Sequence, residues 1–269
     1  MSLFSSGLRK LVRRPATWVT FGLLVGLLLL IFLAVGATAR QASAEQGGQN
    51  ALLLVTFPGA YTFVLSFILG LGGLFAVIYG AAIAGSEWSW GTLKNAVARG
   101  ESRSRYVLLT FVAVAVMLAF GLLFAFAIGI AGAIAGGALA GVPATGLDDA
   151  NTLRALPEQV ARGWLAIVEQ AALGFTIATL ARSQLAGIGV GIGVYFGEQF
   201  AGIFLPDIVK WLPFDAANAV ISSGPAGPGG GAQAARSLSP EVALAVVVAW
   251  LLGSLLVTAL FTERAEIGG

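Results

Sequence analysis

The sequence predicts an all-α integral membrane protein that forms a single transmembrane domain over residues 1–269, with six membrane-spanning helices. Two observations lead to this fold class. The chain is 58% hydrophobic and only 10% charged, whereas soluble domains carry about 25% charged residues. It also contains several apolar runs of the roughly 20 residues that a helix needs to cross a bilayer core about 30 Å thick. A mean hydropathy of +0.90 agrees with this interpretation.

Composition also excludes several classes of site. The chain has no Cys and no His, which removes disulfides, Cys/His zinc sites, His-ligated haem and Ser-His or Cys-His catalytic pairs. No constellation of a carboxylate metal site or a Ser-Lys dyad is evident, so we expect no catalytic residue, no bound metal and no enzymatic activity in this chain. The formal net charge of +2 is too small to indicate a nucleic-acid partner.

Residues 1–15 predict an amphipathic helix that lies on an anionic membrane surface, because the apolar and the polar or basic side chains separate onto two faces. The first span follows at Pro15, which suits a first helical turn. A basic start and an apolar run could also form a signal peptide cleaved after Ala37-Thr-Ala39, but the run over 18–37 is too long for one, which favours an uncleaved helix. The apolar face carries Phe4, Leu8, Leu11 and Val12, and the other carries Ser2, Ser6, Arg9, Lys10 and Arg13.

Six apolar segments are predicted to span the membrane. The third apolar run continues to Gly141, which exceeds one span and is too short for two. Its Gly/Ala-rich end therefore indicates either an extension beyond the membrane or a partly inserted turn. The predicted spans are 16–38, 58–84, 106–130, 161–181, 184–204 and 241–261.

The distribution of charge predicts the orientation of these spans. Ten basic residues fall in the segments 1–15, 85–105, 182–183 and 262–269, against five in the segments on the other side. Cytoplasmic loops carry the excess of Lys and Arg, so both termini are predicted to be cytoplasmic in a multi-pass protein of the inner (plasma) membrane. The ten are Arg9, Lys10, Arg13, Arg14, Lys94, Arg99, Arg103, Arg105, Arg182 and Arg264, and the five are Arg40, Arg154, Arg162, Lys210 and Arg236.

The longest loop predicted outside covers residues 205–240. It begins with an interfacial-looking segment, PDIVKWLPFDAANAVISSG, and continues with a flexible stretch, GPAGPGGGAQAAR. The first part predicts a short re-entrant helix that dips into the outer leaflet, where surrounding protein can shield its backbone. A plain surface loop is the alternative.

Two carboxylates fall inside predicted spans, Glu169 and Glu198, each followed by a glutamine. An ionisable group costs roughly 2.5–3.5 kcal/mol at the centre of a membrane helix and normally faces water or the bundle interior. The two residues are candidates for a substrate pathway that binds a cation or polar headgroup or relays protons. The structural alternative is a carboxyl group hydrogen-bonded to a neighbouring helix.

Gly189, Gly193 and Gly197 recur every fourth residue in the fifth span and form a bare stripe on one face. Such stripes let helices approach closely. The stripe predicts either a dimer interface or a helix contact within the chain.

The loop over residues 85–105 has features that a topology signal alone does not explain. Trp88 and Trp90 bracket a serine, and a short amphipathic segment follows and ends near Gly100, a residue suited to a helix C-terminus. A helix with aromatic anchors and exposed charge is typical of a docking site. The docking residues predicted from this segment are Trp88, Trp90, Gly91, Thr92, Leu93, Lys94 and Arg99.

These residues resemble the membrane subunits of ABC-2-type ATP-binding cassette transporters. That family has a Glu, then Gly-Thr-Leu-basic, a small or apolar stretch, and Ser-Arg before the third helix. Here the pattern reads Glu87, Gly91-Thr92-Leu93-Lys94, an apolar stretch ending at Arg99, and Ser104-Arg105. The resemblance extends to the basic N-terminal helix, the six spans and the WLPFDAANAV segment. The chain lacks the Pro that usually precedes the Ser-Arg pair and a Lys that often follows in the third helix.

The resemblance implies that residues 87–105 form a cytoplasmic coupling helix that docks on an ATPase, and it adds Glu87 and Arg105 to the predicted docking residues. The chain has no G-x-x-x-x-G-K-[ST] phosphate cradle, so ATP and Mg²⁺ are expected in partner ATPase subunits. A second permease subunit, as a homodimer or heterodimer, and membrane lipid are the other expected partners. The predicted function is a permease that exports a hydrophobic or amphiphilic substrate. The alternative is an ion-coupled secondary transporter or channel that uses Glu169 and Glu198.

Overall fold

The computed structural model describes residues 3–42, 46–221 and 238–265, and the side chains of residues 5–38, 51–221 and 238–265. These residues form eleven helices and no strand. In chain order the helices are α1 (Leu3–Val12), α2 (Pro15–Ala42), α3 (Gln46–Val55), α4 (Gly59–Ser89), α5 (Thr92–Ala98), α6 (Arg103–Ala140), α7 (Ala150–Ala181), α8 (Gln184–Phe204), α9 (Pro206–Val209), α10 (Pro213–Ala219) and α11 (Pro240–Arg264).

The predicted N-terminal amphipathic helix is present as α1. Its apolar face packs on protein, because Leu11 is buried and Gly7 lies against Ala113 of α6. Thr17, just inside α2, donates to the carbonyl oxygen of Leu11 and shares a 3.0 Å hydrogen bond with the hydroxyl of Tyr79 on α4. The junction of α1 and α2 is therefore fixed against the bundle. The short helix α3 was not predicted.

Each predicted span coincides with a helix. Five of these helices are longer than the predicted spans, and α8 has the predicted bounds, 184–204. The largest difference is α6, which continues without a break through its Gly/Ala-rich end to Ala140. Its 38 residues make it about 57 Å long at 1.5 Å per residue, well beyond a bilayer core of about 30 Å. Of the two alternatives for this run, the structure has the helical extension.

Three of the long helices begin after a side chain that caps them. The Arg105 amide donates to the Ser102 hydroxyl, and the Ala186 amide donates to the Ser183 hydroxyl. At the start of α7, the hydroxyl and the amide of Thr152 donate to Asp149 at 2.6 and 2.8 Å. These two bonds favour the carboxylate and lower the pKa of Asp149. These caps fix the residues at which α6, α7 and α8 begin.

The core of the bundle is built around α4 and α7. The two helices touch backbone to backbone where Gly80 faces the Ala171 carbonyl and Gly174 faces the Val77 carbonyl. On its other side, α7 contacts α11 through the hydroxyl of Thr176, which lies 2.8 Å from that of Thr258. Small residues and hydroxyl pairs of this kind hold helices together in lipid, where hydrophobic burial gives no advantage.

The segment after α8 forms two short helices, α9 and α10. Helix α10 packs against the bundle and buries Phe214, Ala216 and Ala217. The Trp250 indole of α11 donates to the Trp211 carbonyl at 3.0 Å and ties the turn between α9 and α10 to the last helix. This segment is packed helix in the described structure, whereas its depth in a membrane stays a prediction. The GPAGPGGGAQAAR stretch lies outside the described residues.

The prediction of an all-helical, multi-pass membrane protein is confirmed at this level. Among the described residues, five helices are long and apolar enough to cross a membrane, namely α2, α4, α6, α7 and α11. The predicted fifth span, 184–204, is helical as α8 but is not one of the five. Gln184, Glu198 and Gln199 lower its hydropathy, so its crossing stays a prediction.

Candidate functional site

The carboxylate of Glu87, at the end of α4, is the centre of a buried polar cluster that we call the Glu87 cluster. Its Oε1 accepts from Lys10 Nζ at 2.6 Å and from Arg14 Nη2 at 3.1 Å. Its Oε2 accepts from the hydroxyl of Thr92 and, at 2.7 Å, from that of Tyr106. The exposed fraction of Glu87 is 4%, so this charge is almost fully removed from solvent.

The Glu87 cluster joins α4 to the N-terminal segment, more than 70 positions away, and to the two helices that follow α4. Lys10 belongs to α1, Arg14 to the turn before α2, Thr92 to α5 and Tyr106 to α6. Arg14 also donates to the Ser86 hydroxyl at 2.6 Å. Four donors, two of them cationic, offset the cost of burying this carboxylate. The loss of one partner would leave a buried charge without full compensation. A displacement of α5 would therefore be felt directly by α1, α4 and α6.

Helix α5 lies across the end of α4 and has a buried and an exposed face. Leu93 and Ala96 are buried, whereas Lys94 and Arg99 are exposed. Gly91 before the helix has a φ of 64°, and Gly100 after it has a φ of 87°, a backbone conformation that favours glycine. The two glycines let the chain reverse sharply on both sides of α5.

The two tryptophans of this loop have different environments. Trp90 is 64% exposed, with the Arg14 guanidinium 4.9 Å from the centre of its ring. Trp88 is half-buried against Phe261 of α11. The Arg182 guanidinium, in the turn between α7 and α8, lies 5.2 Å from the Trp88 ring centre. Trp88 thus packs between helices, whereas Trp90 is exposed at the surface.

The end of α11 reaches the same region. Glu263 accepts from the Ser104 hydroxyl, and Arg103 donates to the Ala265 carbonyl at 2.7 Å. Arg105 points outward and pairs with Glu101 at 3.8 Å. We call the region formed by the Glu87 cluster, α5, the α7–α8 turn and the end of α11 the charged end of the bundle. It brings together all the predicted docking residues.

The predicted membrane carboxylates lie away from the charged end. Measured along their helices at 1.5 Å per residue, Glu198 on α8 is about 21 Å and Glu169 on α7 about 18 Å from it. Glu169 is fully buried, and neither of its carboxyl oxygens has a hydrogen-bond partner in the described structure. Of the two carboxylates, only Glu198 is held by hydrogen bonds, to the backbone of α10.

The glycines of α8 divide into two faces. Gly187 and Gly191 pack against Ala178 of α7 and Val77 of α4. The predicted stripe is the other face: a Cβ added at any of its members would meet nothing within 4 Å. The stripe consists of Gly189, Gly193 and Gly197. In the described structure it does not form the predicted close helix contact within the chain, and the dimer interface stays a prediction.

Sequence reasoning did not pair Glu87 with its partners. Lys10 and Arg14 were recognised only as basic residues of the N-terminal segment, and Tyr106 only as the start of a span. The one usable signal is that both basic residues and Glu87 were predicted on the same side of the membrane. Metal ligands were not predicted, and among the described residues no three acidic side chains lie close enough to hold an ion. No protein-family model matches the chain, and a search of curated proteins gives no match.

Proposed function

We propose that this chain is the permease subunit of an ABC transporter of the ABC-2 type, and that ATPase subunits dock at its charged end. The observation that carries the proposal is the Glu87 cluster, which joins the α5 loop to the N-terminal helix and two long helices. A force applied by a partner to α5 would pass to α1, α4 and α6 through this buried network. Such a linkage is what coupling to an external ATPase requires.

The exposed face of α5 supports docking of a protein partner. Trp90 is largely exposed beside the exposed basic residues Lys94 and Arg99. Trp and Arg are enriched among the residues that dominate protein interfaces. ATP and Mg²⁺ would be held by the partner, because this sequence has no phosphate cradle of its own.

The proposed topology has six spans, with α8 as the fifth and the charged end in the cytoplasm. The 21 residues of α8 reach about 31 Å, enough to cross a bilayer core. The alternating direction of six crossings gathers the basic segments on one side, as the positive-inside rule requires. The open glycine stripe of α8 supports a second permease subunit at that face, and the apolar spans support export of a hydrophobic or amphiphilic substrate.

We expect single cysteines to report this topology, since the chain has none of its own. In right-side-out vesicles, a membrane-impermeant maleimide should label Ala144→Cys and Asp207→Cys at once. It should label Ala98→Cys and Ala181→Cys only after permeabilisation. All four positions are exposed in the structure. If α8 did not cross, the cysteines at 181 and 207 would label from the same side.

The docking prediction concerns Trp90. We expect the chain, purified in mild detergent from its host membrane, to carry an ATP-hydrolysing subunit. Trp90→Ala should weaken that association by about tenfold or more, as truncation of an interface aromatic does. The fold should survive, because Trp90 is 64% exposed. Binding is measured by titrating the ATPase subunit onto the permease in nanodiscs.

The matched control is Trp211→Ala, which removes a 49% exposed tryptophan from the opposite end of the bundle. It should leave ATPase binding unchanged. Equal binding by wild type and Trp90→Ala would remove the docking assignment. Transport by the chain alone in ATP-free vesicles would replace the proposal with its alternative, an ion-coupled transporter or channel. That alternative is favoured by one observation, the two unpaired carboxyl oxygens of Glu169.

A further inference from the structure

A cavity of about 420 Å³ lies between α4, α7, α8, α10 and α11, away from the charged end. Its volume falls within the range of small-molecule sites, roughly 300–1,000 Å³. Among the described residues that line it, Glu198 is the only charged one, and the others are apolar or glycine. Trp250, which is 38% exposed, lies at its edge, so the cavity communicates with the outer surface of the bundle.

Glu198, which lines this cavity, has a buried acceptor without a partner. Its Oε2 accepts from the amides of Phe214 and Asp215 at 3.0 and 3.3 Å, which fixes the carboxyl group against the start of α10. Its Oε1 is buried and has no hydrogen-bond partner in the described structure. The residue as a whole is 5% exposed. A buried carboxyl oxygen without a donor is costly, and a ligand that supplied a donor would remove that cost.

The charge around the cavity favours a cation. Glu169 on α7 is a second buried acid, and both of its oxygens are also without a donor in the described structure. Within the described part of the chain, no Lys or Arg side chain forms an ion pair with either carboxylate. Two buried acids without a cationic partner favour a positively charged ligand, because a buried carboxylate is costly until a cation pairs with it.

The walls favour an organic cation over a metal ion. Ca²⁺ takes six to eight oxygen ligands and Mg²⁺ six, whereas this cavity offers one free carboxyl oxygen among apolar side chains. The rings of Phe214 and Trp250 belong to the wall, and aromatic rings attract ammonium groups. The Trp250 ring is held in place by its hydrogen bond to the Trp211 carbonyl.

We propose that this cavity binds a hydrophobic amine, with the ammonium group donating to Glu198 Oε1 and the apolar body filling the space between α7, α8 and α11. The bound pair carries one ammonium and one carboxylate and is neutral as a whole. No covalent step is involved. The proposal concerns binding alone, so it does not depend on docking of an ATPase at the charged end.

The test uses the full chain in nanodiscs of phosphatidylcholine and three probes that share one apolar body. These are 4-phenylbutylamine, 4-phenylbutan-1-ol and 5-phenylpentanoate, and empty nanodiscs correct for partition into lipid. Calorimetry should give saturable binding of the amine, at least about tenfold tighter than that of the alcohol, as expected for a charge-assisted hydrogen bond in an apolar site. The pentanoate should not bind.

Glu198→Gln keeps the size of the side chain and removes its charge, so it should reduce amine affinity by about tenfold while alcohol binding changes little. The control, Glu158→Gln, removes a carboxylate that pairs with Arg162 on the surface of α7 and should change neither. Thermal unfolding of both variants checks that they fold. Equal affinities for amine and alcohol, or an unchanged amine affinity in Glu198→Gln, would overturn the proposal.

A final arm identifies the source of the amine. Phosphatidylethanolamine carries the same ammonium group on a lipid. If its addition to the nanodiscs competes with 4-phenylbutylamine in the wild type and not in Glu198→Gln, the ammonium site takes a lipid headgroup. If it does not compete, the site selects free amines. Both results keep the assignment of Glu198 as the group that binds the ammonium.

Discussion

Replacement of Glu87 by Ala is expected to lower the free energy of unfolding by about 3–5 kcal/mol, the range found when one partner of a buried ion pair is removed. The cause is local. Lys10 and Arg14 would keep their positive charges beside each other without the carboxylate that compensates them. The hydroxyl of Tyr106 would lose its acceptor as well, and that of Thr92 would keep only the backbone carbonyl of residue 87.

The measurement is equilibrium unfolding in detergent micelles, followed by tryptophan fluorescence. Glu101→Gln is the control, because Glu101 pairs with Arg105 over 3.8 Å at the surface and should contribute less than about 1 kcal/mol. A Glu87→Ala variant as stable as wild type would mean that the Glu87 cluster does not hold the charged end together.

A triple replacement separates stability from coupling. Lys10, Arg14 and Glu87 changed together to Met remove the charges and keep apolar volume, and such replacements of buried ion networks are often neutral or stabilising. We expect this variant to regain most of the stability lost in Glu87→Ala. If the network transmits force from α5, as proposed, the triple variant should still bind the ATPase subunit through Trp90 and yet fail to transport.

The helices of this protein follow from its sequence more directly than its contacts do. Apolar runs of sufficient length locate the long helices, because a membrane helix must satisfy its own backbone hydrogen bonds. The bounds of α8 were predicted correctly, whereas the other long helices were predicted too short, because helices such as α6 continue past the apolar core. Helix α3 was missed because its start, Gln46 to Asn50, is polar and glycine-containing and gives no apolar periodicity.

The candidate sites show the same division. The loop with Trp90 could be singled out from composition, and the positive φ of Gly100 was anticipated from its position after a short amphipathic segment. The partners of Glu87 could not be predicted in this way. Lys10 is 77 positions away, and hydropathy carries no information on which helices are neighbours. Likewise a short helix was predicted in the segment of α10, but its hydrogen bonds to Glu198, which help to form the cavity, were not.

A large loss of stability is expected when the glycines at the contact between α4 and α7 are replaced. Gly80→Ala would place a methyl group on the Ala171 carbonyl, and Gly174→Ala would place one on the Val77 carbonyl. A carbonyl oxygen of a helix cannot turn aside as a side chain can, so the two helices must separate. We expect each variant to lose about 1–3 kcal/mol or more of folding free energy, the usual cost of overpacking a core.

Gly189→Ala and Gly193→Ala are the matched controls on α8, because an added Cβ there meets nothing within 4 Å. Both should fold as well as wild type in micelles, since Ala is the better helix former by about 1 kcal/mol. The open stripe then allows a sharper comparison. Gly193→Leu should dissociate a permease dimer if the stripe packs against a second subunit, whereas Gly253→Leu, at an equally open position on α11, should not. Cross-linking in the membrane measures the fraction of dimer in the wild type and in both variants. A fully monomeric wild type, or an equal loss of dimer in both variants, would mean that the stripe faces lipid only.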